Sequence, residues 1–105
     1  MIISIKNYKK SLTKEDLIFL HLLENNSNQH RYIVSELLTQ KGIQSKINCD
    51  LSLISRILKK NEKKGYIYRS LKKIKNKKRK QNAFYLSDEG MERAEELHNR
   101  ISGLK

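Results

Sequence analysis

The 105-residue sequence has no proline, no tryptophan, four glycines and a single cysteine. A lone cysteine, Cys49, cannot close an internal disulfide, so the fold owes nothing to oxidation and a reducing, cytoplasmic setting is expected. With so little proline and glycine there is no flexible or Pro-rich linker, and no internal repeat stands out. The chain therefore reads as one domain over residues 1–105, large enough for a modest core. No run approaches the roughly 20 consecutive apolar residues that a membrane-spanning helix requires, which excludes a membrane role. The opening stretch MIISIKNYKK meets lysines after a few apolar residues and lacks a secretory signal pattern. The three histidines, His21, His30 and His98, stand far apart with no second ligand at useful spacing, so no metal is expected. No Ser/His/Asp grouping, phosphate-cradling glycine loop or paired carboxylate site is visible, and neither an enzyme nor a cofactor is expected.

Positive charge, by contrast, is abundant. Lysine and arginine number 23 against 11 acids, a net charge of +12. Its distribution is the informative part. From Arg56 to Lys80 there are 13 bases and one acid, Glu62, so these 25 residues carry the entire excess and the rest of the chain is neutral. General solubility would not require such concentration, and a polyanionic partner is implied.

Hydrophobic spacing and capping residues divide the chain. Thr13, followed by Glu15 and Asp16 and then Leu17, Leu20 and Leu23, marks a first helix with Ile18, Phe19 and Leu22 widening its apolar face. A polar break at Asn25, Asn26, Ser27 and Asn28 ends it. Ile33, Val34, Leu37 and Leu38 fit strand or helix on periodicity alone, and an extended piece ending at Leu38 is expected. Thr39 caps a short helix bearing Ile43 and Ile47, Asn48 suits a turn, and Asp50 caps a longer helix ended by Gly65. Two strand-like segments follow, YIYRSLKKI and QNAFYL, around the basic connection KNKKRK, with no Asn-Gly turn to dictate the hairpin. Ser87 with Asp88 and Glu89 then opens a last helix striped by Met91, Ala94, Leu97, Ile101 and Leu104. The expected fold is α+β, mostly helical: helix, short strand, helix, helix, two-stranded hairpin, helix, with 12–86 as core and hairpin and 87–105 as the final helix.

Two helices joined tightly at Asn48 and Cys49, the second apolar behind and basic or hydroxylic in front, form a helix-turn-helix pattern. The major groove of B-DNA, about 12 Å wide, admits one helix whose leading side chains meet base edges. Ser52, Leu53, Ser55, Arg56, Lys59 and Lys60 are the candidates on that helix. Arg56 is the best reader, since a guanidinium can pair with both guanine acceptors. Lys59, Lys60, Lys63 and Lys64 suit phosphates, which position without reading sequence. In the hairpin, Lys73, Lys75, Lys77, Lys78, Arg79 and Lys80 would follow the flanking backbone or reach the minor groove, and binding should weaken steeply with salt. The expected partner is double-stranded DNA, in the cytoplasm and associated with the nucleoid.

From Thr39, TQKGIQSKINCDLSLISRILKKNEKKGYIYR and then KNKKRKQNAFYLSDEG resemble winged-helix regulators of the MarR-like class, particularly the archaeal versions. The resemblance spans roughly Leu12 to Leu97. It is carried by Ile54-Ser55-Arg56 with Leu58, by Lys64-Gly65-Tyr66-Ile67, and by Phe84-Tyr85-Leu86-Ser87-Asp88-Glu89-Gly90. It implies that Leu51–Lys64 is the recognition helix, that Tyr66–Leu86 is the wing, and that the last helix helps to pair two subunits. Three positions depart from the pattern: Asn61 in place of a core leucine, Asn48 in place of glycine, and Asp50 in place of serine or threonine. A homodimer seamed along the last helix is the corresponding expectation.

Other readings compete. A lysine run is often a solvated face, a nuclear-import tag or a patch for acidic lipid, but none of these explains the ordered helix before it. A non-specific architectural role, or binding to structured RNA, shares the same electrostatics. A protein-interaction winged helix is a third reading. Cys49 reads as half-buried filler of the turn, His21 with Glu24 as helix surface, and Tyr66, Tyr68, Phe84 and Tyr85 as packing rather than base-stacking groups.

Overall fold

In the computed structural model, which describes residues 12–25 and 31–102, Thr13 opens α1 (Lys14–Glu24) with a closed capping box. Its hydroxyl accepts from the Asp16 amide at 3.0 Å, and the Asp16 carboxylate accepts from the Thr13 amide at 3.1 Å. Thr39 does the same work for α2 (Gln40–Ile47), accepting from the Gly42 amide at 3.2 Å. Asn48 then takes left-handed angles (φ 60°), turning the chain into α3 (Leu51–Lys63). Asp50 occupies the cap position of α3, but its carboxylate makes no cap bond; its main-chain carbonyl alone receives Leu53 and Ile54, each at 3.1 Å.

The exit from α3 is a complete Schellman motif. Gly65, at φ +81°, donates to the Glu62 carbonyl at 3.1 Å and Tyr66 donates to the Asn61 carbonyl at 2.9 Å. The chain emerges directly into β2 (Ile67–Ile74), which pairs antiparallel with β3 (Lys80–Leu86) from Ile67↔Leu86 to Lys73↔Lys80. A two-residue strand, β1 (Ile33–Val34), adds in parallel to the free edge of β2 and places β2 at the centre. The extended piece is thus shorter than expected. Ser35 captures the Leu37 amide at 3.1 Å and turns Glu36–Leu38 into a single 3-10 turn ahead of α2. The last described element, α4 (Asp88–Ser102), starts where Ser87 accepts from the Gly90 amide at 3.1 Å.

One apolar core joins Ile18, Phe19 and Leu22 of α1, Ile43 and Ile47 of α2, Ile54 and Leu58 of α3, and the inner residues of the sheet. A smaller cluster of Leu20, Leu97 and Ile101 fastens α4 to α1. Of the α4 stripe, Ala94, Leu97 and Ile101 are buried within the chain, while Met91 is half-buried. Leu104, the 26–30 segment with most of the polar break and His30, and the N-terminal residues 1–11 lie outside the described residues. His21, expected at the surface, is buried instead, and its Nε2 is paired with the Leu37 carbonyl at 2.7 Å, tying α1 to the 3-10 turn. No helix among the described residues is long and apolar enough to cross a membrane.

Candidate nucleic-acid interface

The helical repeat gives α3 two faces. Ile54, Leu58 and Asn61 point into the protein and are at most 1% exposed. Ser52, Arg56, Lys59 and Lys63, three or four residues apart, occupy the opposite side and are exposed. Leu53 and Ser55 are half-buried on the two flanks. Lys60 also stands on a flank, where its Nζ lies 3.3 Å from Glu15 of α1. The expected set on this helix therefore splits into an exposed front, two flanking residues, and one lysine already engaged by an acid.

The wing turn lies between Ile74 and Lys80. Asn76 supplies its left-handed residue (φ 65°), and Lys77 donates to the Ile74 carbonyl at 3.0 Å. The hairpin thus has a sequence determinant after all, an asparagine without a following glycine. Lys75, Lys77, Lys78, Arg79 and Lys80 are all exposed around the turn. Lys73 is half-buried and donates across it to the Lys77 carbonyl.

Between α3 and the wing runs an open groove of about 580 Å³, lined in part by Ser55, Lys59, Glu62, Arg69, Gln81 and Asn82. Two acids belong to this region, and both are matched. Glu62 accepts two hydrogen bonds from Arg69, and Glu36 sits 3.1 Å from the Nζ of Lys77. By contrast Arg56, Lys59, Lys63, Lys75, Lys78, Arg79 and Lys80 form no ion pair among the described residues. The front of α3 and the wing tip thus present uncompensated positive charge on either side of the groove. Of the aromatic residues, Phe84 and Tyr85 are buried, and Tyr68 stacks on Tyr85 with ring centres 5.4 Å apart. Burial pushes both hydroxyls of that pair above their ordinary value, so they stay neutral.

A polar centre behind α3 escaped sequence reasoning. The buried Asn61 donates to Glu15 at 2.9 Å and to the Ile57 carbonyl at 2.8 Å. Arg93 of α4 reaches the other oxygen of Glu15 at 3.3 Å, with its guanidinium over the rings of Phe19 and Tyr66 at 4.7 and 5.1 Å. Burial alone would raise the Glu15 carboxyl. The hydrogen bonds from Asn61 and Lys60 and the charges of Lys60 and Arg93 outweigh it and hold the group below its ordinary 4.5. The signal available in sequence was Asn61 itself, a polar residue in the stripe of Ile54 and Leu58; its partner, 46 positions away, carried none.

No family model and no curated protein matches the chain by sequence. Solved structures do. A variant of MepR from S. aureus superposes with a TM-score of 0.65 at 19% identity, over 94% of this chain and 65% of that one. A protein of Archaeoglobus fulgidus gives 0.61 at 21% identity, over 91% and 94%. A second MepR variant, bound to an oligodeoxyribonucleotide, gives 0.60 at 21% identity, over 94% and 64%. The chain thus spans about two thirds of the MepR length and nearly the whole of the archaeal protein. Its architecture is the MarR-like winged-helix fold, mostly helical with a three-stranded sheet.

Proposed function

We propose that the chain binds double-stranded DNA as a transcription regulator, with α3 entering the major groove and the wing tip following the phosphate backbone or the adjacent minor groove. The observation that carries this reading is the front of α3. Ser52, Arg56, Lys59 and Lys63 form an exposed stripe opposite the core, free of acidic partners among the described residues, on a helix that the fold holds out between its neighbours and the wing. The oligodeoxyribonucleotide bound to a MepR variant of the same fold supports it. Arg56, with Ser52 and Ser55, would discriminate between sequences; Lys75, Lys78, Arg79 and Lys80 would supply affinity that falls with salt.

A homodimer would set two recognition helices about one helical turn of DNA apart. The expected pairing along α4 would use the part of that helix which the burial of Ala94, Leu97 and Ile101 leaves open, and sedimentation of the free protein measures whether a dimer forms. The decisive experiment is competition binding at several salt concentrations among genomic duplex, random duplex and structured RNA. Preference for a subset of genomic duplexes over random duplex supports the regulator. Equal affinity for every duplex points to an architectural binder, preference for RNA to an RNA-associated one, and no salt-dependent binding to a protein-interaction module.

A further inference from the structure

We propose that Glu15 is a positioning residue for the recognition helix: it holds Lys60 off the DNA-facing surface and, through Asn61 and Arg93, fixes how far α3 is rolled toward the duplex. The inference rests on the DNA-binding reading and adds to it a residue on a different helix, behind the contact surface.

Three observations converge on this carboxylate. It is the shared acceptor of α3 and α4. Its Oε2 takes Asn61 Nδ2 at 2.9 Å and Lys60 Nζ at 3.3 Å, while Oε1 takes Arg93 Nη2 at 3.3 Å. Asn61 is fully buried and is also tied to its own helix at the Ile57 carbonyl, so the Glu15 contact fixes the backbone of α3 and not merely a mobile side chain. Arg93, in turn, lies over both Phe19 of α1 and Tyr66, whose rings meet edge to face, and Tyr66 closes the Schellman exit of α3. The C-terminal half of the helix is thereby held at two points by one ionic network.

Lys60 shows what the network does for binding. The helical repeat sets it on the flank of α3 that faces α1, one turn along from Arg56 at the edge of the front defined by Ser52, Arg56, Lys59 and Lys63. Its side chain is 54% exposed and long enough to swing forward; Glu15 draws it backward. Rolling α3 to bring Lys60 forward would break the Asn61–Glu15 hydrogen bond, leaving the buried amide only its bond to the Ile57 carbonyl and costing the Glu15 carboxylate a donor, which opposes that rotation. The front is thus kept to the row of Ser52, Arg56, Lys59 and Lys63, and Lys60, one turn along from Arg56, is kept from adding a further cation to it.

The test is the slope of log affinity against log salt on a random-sequence duplex, for the wild type, Lys60→Ala, Glu15→Gln and the double variant. Each phosphate contact contributes about 0.9 to that slope. Lys60→Ala should leave it unchanged. Glu15→Gln, which keeps an acceptor for Asn61 but drops the charge, should steepen it by about 0.9, and the double variant should return it to the wild-type value. Circular dichroism confirms that each variant is folded, and Lys60→Ala alters only a surface side chain. If Lys60→Ala flattens the slope while the wild type binds, Lys60 already meets phosphate and this inference fails alone. If Glu15→Gln leaves the slope unchanged, Glu15 does not withhold Lys60 and the inference likewise fails. If the wild type shows no salt-dependent duplex binding, the DNA-binding reading falls and takes the inference with it.

Discussion

Arg69, on the central strand of the sheet, grips Glu62 of α3 with two hydrogen bonds, Nε to Oε2 at 2.8 Å and Nη2 to Oε1 at 3.0 Å. The bidentate fork joins wing to helix as well as neutralising an acid beside a basic surface, and it is expected to hold the angle between them. Arg69→Lys retains the charge but loses the fork. Because the pair is partly solvated, the variant should lose no more than about 1 kcal/mol of stability. Its duplex affinity should fall several-fold, because the wing no longer keeps register with α3. Urea unfolding and duplex titration measure the two quantities side by side; a stability loss with unchanged affinity would remove the wing-angle role.

Reading and holding should separate by mutation. Arg56→Ala should reduce preference for a selected genomic site over random duplex by about 1–3 kcal/mol, the worth of a good bidentate base contact. Lys78→Ala with Arg79→Ala should weaken both duplexes equally and reduce the salt slope by roughly two contacts. The pair is chosen over Lys77 because Lys77 also binds Glu36, so its removal would disturb the wing itself. Titration of each variant on both duplexes checks this, and equal losses for Arg56→Ala would show that the helix holds without reading.

Two glycines make opposite demands. A Cβ at Gly90 would lie 2.0 Å from the Tyr66 carbonyl oxygen, a main-chain atom that cannot step aside, whereas a Cβ at Gly65 meets nothing within 4 Å but is forced into φ +81°. Gly90→Ala should therefore cost about 3 kcal/mol as overpacking at the α4–wing junction. Gly65→Ala should cost about 1 kcal/mol as left-handed strain. Chemical denaturation ranks them, and a larger loss at Gly65 would contradict the close approach.

Acid should unlock the polar centre. The Glu15 carboxyl is held below 4.5 in the folded chain, so its contribution to stability is present above that pH and is lost as the pH falls further, through the folded value. The drop in urea midpoint between pH 5.5 and pH 3.5 should be smaller in Glu15→Gln than in the wild type. Identical drops would mean that Glu15 gains nothing from Lys60, Asn61 and Arg93.

Much of the fold was legible because its determinants are local. Thr13, Thr39 and Ser87 announce helix starts through hydroxyls that serve amides three residues on, and Gly65 announces an end through its left-handed angle. The basic face was legible for the same reason, since the stripe of α3 follows from helical periodicity alone. What sequence left unread is the long-range pairing. His21 looked like surface because its partner, the Leu37 carbonyl, is a main-chain group with no side-chain signature. The ion pairs of Lys60 and Lys77 join helices and turns distant in sequence, so both looked like free phosphate ligands. The α4 stripe could serve another copy or this one, and the packing of Leu97 and Ile101 on Leu20 of α1 is a contact that periodicity alone does not announce.

The fastening of α1 to α4 also bears on the order of events during synthesis. Glu15 and Arg93 meet across 78 positions, and the Leu20 cluster closes over a similar span. Loops of that length close slowly and form late in folding. The wing hairpin, whose partners are close in sequence, can form while α1 still waits for its covering helix to leave the ribosome. A nascent chain paused before Arg93 would thus expose the basic face of α3 without the Glu15–Arg93 contact behind it, and stalled products should be more prone to proteolysis than the finished protein.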